Sequence, residues 1–146
     1  MTTRADIVAE ARAWLNVPFH HQGYSRAGCD CIGLIAGVAL HCGLPGASEW
    51  QQDPNCHNYS PQPDPRLLLT LAGRFLDAVP RDNLDLADIL LMRFERDPMH
   101  FALASMVRPL YVIHALSRLG RVAEHRVDQK WGDYVTRAYR FRGIDS

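Results

Sequence analysis

Residues 28–35 read GCDCIGLI: two cysteines flank an aspartate, and an apolar run starts at once behind them. Such a cluster could be half of a metal site, a redox or disulfide pair, or a nucleophile with its accessories. Zinc knuckles use paired ligands at wider spacing than Cys29 and Cys31 provide. The neighbouring pairs His41–Cys42 and Cys56–His57 send adjacent side chains in divergent directions. Disulfides are rare in a reducing compartment. The nucleophile reading has its basis at Cys31, if that residue opens the helix which the apolar run predicts. Four backbone N–H groups at a helix start lack partners, and the macrodipole places roughly half a positive charge there. Both favour the thiolate, which is the nucleophilic form. Asp30 opposes this by charge and is expected to point elsewhere, as the N-cap. The bland alternative is that Cys31 is a small core residue.

A cysteine nucleophile needs a base, and seven histidines compete. MHFALASMVRPLYVIHAL reads as a hairpin turning around Met106 to Pro109, which sets His100 opposite His114 on one sheet face. Ala102 and Ala104 share that face, so small neighbours leave room for the Cys31 helix end to approach. One imidazole would take the thiol proton and the other would orient it. Alternation alone does not say which is which. Two strand histidines solvating an exposed face, or a two-histidine metal site lacking a further ligand, are the competing readings. His20, His21, His41, His57 and His125 read as solvated or structural.

Several elements must position these groups. Thr3 to Leu15 carries the helical period, with Thr3 as N-cap, Asp6 in the first turn and Pro18 as the stop. HHQGYSRAG reads as a loop. Cys31 to Cys42 is apolar nearly all round, so it predicts a buried helix ended by Gly43. Residues 44–65 read as a long loop, and Arg66 to Val79 as an amphipathic helix. ADILLMRF, HFALASMV, LYVIHAL, RVAEHRV and VTRAYRF are β-leaning, and the tail RAYRFRGIDS suggests an edge strand. Helices first and strands afterwards predict an α+β domain over 1–146, its helices packed on an antiparallel sheet. Trp14 is expected in the core; Trp50, Tyr59 and Trp131 sit where they could pack or rim a cleft, and Tyr24 is placed to line it.

Lys plus Arg balance Asp plus Glu at sixteen each, which gives no reason to expect nucleic acid as a partner. No stretch approaches the ~20 apolar residues that span a bilayer, so no membrane partner is expected. The N-terminus lacks the features of a secretory signal, so the chain is expected to be made and folded in the cytoplasm.

Five stretches in order resemble the NlpC-type cell-wall peptidases, a superfamily with a papain-like cysteine peptidase fold. AEARAWLNVPFHHQG resembles the first helix and its Pro-aromatic turn, GCDCIGLI the D-C-x-G-L nucleophile motif, and LADILLMRF the strand after a Gly/Ala-Asp pair. HFALAS resembles the histidine strand, and YVIHAL the strand of the third polar residue. The resemblance implies Cys31 as nucleophile, His100 as base and His114 as its orienter, with no cofactor and no metal. It implies that Asp30 lines the cleft and can receive a peptide amine. It implies cleavage of amide bonds in peptidoglycan stem peptides. Ile32 stands where many relatives have Ser. PFHHQGYSRAGCDCIGL is most similar to a subgroup encoded in tail-gene clusters of phages and gene transfer agents. By that resemblance the partners are tail-tip or hub proteins of a phage-like particle, and the site of action is the recipient's cell wall. An inactive tail-assembly or wall-binding module and a Cys/His metal-binding domain are the rival readings.

Overall fold

The computed structural model describes residues 2–59, 65–93, 99–128 and 134–144. Helix α1 (Arg4–Arg12) opens on a capping box: the Thr3 hydroxyl accepts from the Asp6 amide and the Asp6 carboxylate from the Thr3 amide. It ends well before Pro18, and Asn16 turns the chain with a left-handed φ of 70°. Trp14 is fully buried, its indole N–H donating to Glu10 at 2.7 Å.

The segment expected to be plain loop holds a two-stranded ribbon, β1 (Tyr24–Ser25) and β2 (Gly28–Cys29). Just before it, the chain is strapped to residues 120–122: the Asn16 amide donates to the Val122 carbonyl at 3.0 Å and the Phe19 amide to Gly120 at 2.9 Å. Next comes α2 (Cys31–His41), buried from Ile32 to Ala39 as an all-round apolar helix should be. Its glycines set how closely it docks. A Cβ on Gly33 would stand 1.8 Å from the Gly23 carbonyl oxygen, and one on Gly37 2.4 Å from the Trp14 ring. Gly33→Ala would ordinarily gain about 1 kcal/mol of helix propensity. Here the methyl meets backbone that cannot swing aside, so overpacking of about 1–3 kcal/mol should win. The variant is expected to unfold at lower denaturant than the parent, by chemical denaturation followed by circular dichroism.

Residues 44–65 are not a long loop. Helix α3 (Ala47–Gln52) and a 3-10 turn (Pro54–Cys56) form there, and 60–64 lie outside the described residues. Trp50 drives this, buried and stacked on Phe75 at 5.2 Å. Asp53 caps the turn through the Asn55 amide and pairs with Arg74 at 2.6 Å. Helix α4 (Pro65–Phe75) ends early, because Leu76–Val79 leave it as strand β3.

The five expected strands are present: β4 (Ile89–Arg93), β5 (Met99–Val107), β6 (Leu110–Leu116), β7 (Arg121–Arg126) and β8 (Val135–Phe141). With β3 they form one antiparallel sheet in the order β3-β8-β4-β5-β6-β7. β8 is therefore interior, not an edge. Arg140 of this strand pairs with buried Asp88 at 2.8 Å, and Arg142, just beyond the strand end, with Asp77 at 3.0 Å. The architecture is α+β, helices packed on one face of an antiparallel sheet.

Ile89, Leu91, Phe101, Leu103, Ile113 and Ala115 join α1, α2 and α4 in the main core. Leu90, Met92, Ala102, Val112, Val135 and Ala138 form a smaller cluster on the other face. His100 and His114 alternate with the first set and so belong to this second face. Two expectations are corrected here. Leu103 pairs with Ile113, with a register shift between Ala104 and Met106, so continuing the ladder sets Ala102 opposite His114 and leaves His100 diagonal to it. The alanine beside the histidines is filled by the second cluster, while α2 packs on the opposite face.

Candidate active site

Cys31 opens α2 and is half-buried. The backbone amides of Phe101, Ile32 and Cys31 itself act on its sulfur. Phe101 follows His100 on β5, so the helix start meets the sheet at the histidine strand. The amides favour the thiolate, as expected of a helix N-terminus, but they are outweighed. Burial, with the Asp30 charge added, pushes the thiol up to about 12. The resting group is a thiol, not the thiolate that the helix dipole alone suggested.

Asp30 is the N-cap, and one carboxylate oxygen accepts from the Gly33 amide at 2.9 Å. The other accepts from the Gln22 amide at 2.9 Å and from the Tyr59 hydroxyl. The buried carboxylate thus ties three segments together beside Cys31. Tyr59 is held further through its carbonyl, which accepts from the Gln22 side chain at 2.7 Å and faces His21 Nε2 at 2.9 Å. Its phenol is held well above the ordinary range, mainly by burial and the Asp30 charge, with Cys31 contributing. Tyr59 is therefore a neighbour of the nucleophile candidate. Tyr24 is half-buried with its hydroxyl turned onto Cys56 and its ring 4.9 Å from His57, so its ring, not its hydroxyl, is the part left for a cleft. Trp50 belongs to the core, and Trp131 lies outside the described residues.

The two strand histidines meet despite the shifted register. His100 Nε2 lies 2.7 Å from His114 Nδ1. A third imidazole, which the sequence did not single out, continues the line: His114 Nε2 lies 2.8 Å from Nε2 of His125 on β7. The signal was present in the turn at LSRLG. It pairs Leu116 with Arg121 and Val112 with His125, which puts His125 on the face of His114. Both separations are hydrogen-bond lengths. Among the described residues, no group of three or more His, Cys, Asp or Glu side chains is arranged to hold a metal.

Burial, with His125 adding a smaller effect, lowers His100 to about 3. Burial and both neighbouring imidazoles lower His114 to about 2. Both rings are neutral at rest. Unfolded histidine titrates near 6.5, so between about pH 6 and pH 3 the unfolded chain takes up two protons that the folded chain refuses. Stability is full above the unfolded value and falls as pH drops, because the protons bind only to the unfolded chain. Urea titrations at pH 7, 6 and 5 should show the midpoint falling steeply; a midpoint independent of pH would contradict the burial of these rings.

The α+β arrangement, helices on one face of an antiparallel sheet, is shared with NlpC/p60 domains. Comparison with solved structures bears out that fold. The chain is similar to the NlpC/p60 domain of the peptidoglycan hydrolase SagA, with TM-score 0.63 and 20% identity over 96% of this chain and 100% of that one. It is also similar to an NlpC/p60 family protein from Bacillus cereus ATCC 10987, with TM-score 0.65 and 18% identity over 97% of this chain. A lipoprotein-like NLP/P60 family protein from Staphylococcus aureus subsp. aureus Mu50 matches with TM-score 0.61 and 17% identity over 98% of this chain. The chain spans 41% and 42% of the latter two proteins. No protein-family model and no curated protein matches the sequence.

Proposed function

We propose that the chain is a cysteine peptidase that hydrolyses amide bonds in peptidoglycan stem peptides. One observation carries the reading: on an NlpC/p60 fold, the thiol that opens α2 feels the backbone amide of Phe101, the residue after His100, and His100 is hydrogen-bonded to His114. In this reading Nδ1 of His100 is the nitrogen that takes the thiol proton, since Nε2 is engaged by His114. The resting pair is neutral, so the thiol proton passes to His100 as the sulfur attacks the amide carbon. The Cys31 amide, at the helix start, receives the developing oxyanion. His100 then protonates the leaving amine, a thioester remains on Cys31, and water activated by the same imidazole releases the acid and restores the thiol. Asp30 holds Tyr59 and the loop at Gln22 as one wall of the cleft and is the group for a peptide amine; the Tyr24 ring contributes beside it.

Peptidoglycan as substrate is supported by the description of the SagA neighbour as a peptidoglycan hydrolase. Action from the tail tip of a phage-like particle, at the wall of the recipient cell, is supported by the resemblance of residues 18–34 to proteins of tail-gene clusters. Muropeptides incubated with the purified chain should give product pairs whose masses add up to the substrate plus one water. Intact substrates throughout would favour the inactive-module reading. Proteomics of purified particles from the producing cell should find the chain among the tail proteins, and its absence there would remove the particle assignment.

A further inference from the structure

We infer that His125 is a positioning residue: it fixes the tautomers of His114 and His100 so that Nδ1 of His100, the nitrogen assigned above to the thiol proton, is unprotonated. The inference rests on the cysteine peptidase reading for its role and on the hydrogen-bond chain for its geometry. His125 Nδ1 lies 3.0 Å from the Arg126 carbonyl oxygen. A carbonyl can only accept, so Nδ1 of His125 carries the proton, and in the neutral ring Nε2 becomes an acceptor. His114 Nε2, 2.8 Å away, must then donate to it. A neutral His114 has one N–H, so its Nδ1 is an acceptor, and His100 Nε2 at 2.7 Å must donate in turn. The last nitrogen, Nδ1 of His100, is left without a proton. One peptide carbonyl at the far end of three rings therefore selects the base tautomer.

Without His125 the wiring loses its direction. His114 could carry its proton on Nδ1 and donate to His100 Nε2, which would place the His100 proton on Nδ1, the wrong side for taking one from sulfur. The chain also gives the reaction's charge an exit. When the thiol proton reaches His100 Nδ1, the Nε2 proton of His100 can pass to His114 Nδ1 and the Nε2 proton of His114 to His125 Nε2. The count is unchanged and the positive charge rests on His125. His100 and His114 are buried and His125 is half-exposed, so that ring is the one where water can solvate the charge.

The test uses His125→Ala and His125→Gln in the full chain. The Gln carbonyl can accept from His114 Nε2–H and restore the direction; Ala cannot. Nitrogen-15 NMR of the histidine rings should show His100 as the Nε2–H tautomer in the parent and in His125→Gln, and a mixture of tautomers in His125→Ala. With a cleaved muropeptide, His125→Ala should lose about 10- to 100-fold in kcat with KM little changed, and His125→Gln should recover most of it. An unchanged His100 tautomer in folded His125→Ala would overturn the inference, as would equal losses in the two variants. If the parent cleaves nothing, the proposed function fails while the ring spectra still decide the tautomer chain.

Discussion

Cys31→Ala is expected to abolish amide hydrolysis, a loss on the order of 10⁵-fold or more in kcat, in a protein that still folds. The size follows from the mechanism: without the sulfur no thioester forms, and only cleft binding and the oxyanion amide remain to help water. The fold survives because the deleted atom is one half-buried sulfur at a helix start, where alanine has the better helix propensity. The cap also stays, since Asp30 still accepts from Gly33 and Gln22. Muropeptide turnover followed by mass spectrometry, alongside the far-ultraviolet spectrum, checks both halves. Comparable turnover in parent and variant would remove Cys31 from the chemistry.

His100→Ala should lose nearly as much, because nucleophile and base act as a unit. With the Cys31 thiol pushed up to about 12, almost no thiolate exists at neutral pH unless a base takes the proton during attack. A mechanism relying on a preformed thiolate would be less sensitive to loss of the base. His114→Ala should lose less, since it removes the orienting ring and leaves the proton acceptor in place. The variant His100→Gln, which keeps a hydrogen-bonding side chain diagonal to His114, should be as inactive as alanine. Activity in His100→Gln within tenfold of the parent would show that another group removes the thiol proton.

The features that were legible in the sequence are local. The capping box of α1, the all-round apolar character of α2 and the five β-leaning segments each reflect a short periodicity, and each element formed where it was read. Features that depend on distant contacts were not legible. Helix α3 hides in polar composition because one residue, Trp50, supplies its anchor. Leu76–Val79 continue the helical pattern of α4 but find a better partner in β8. The register shift between Ala104 and Met106 comes from one extra residue in a strand whose alternation looks unbroken. Cys31 shows the same limit in its chemistry. Helix position is visible in GCDCIGLI, whereas the burial that reverses the expected thiolate arises only when α2 meets β5. Histidines at a strand end are usually solvated, and nothing local sets His125 apart; its partner follows only from the register that the LSRLG turn imposes.

The most direct test of the account is to stop the reaction with acid while a muropeptide is being turned over and to weigh the intact protein. The account predicts a species heavier by the acyl fragment of the substrate, mapped by peptide sequencing to Cys31 and absent from Cys31→Ala. Product formation with no adduct, or an adduct on any residue other than Cys31, would contradict it.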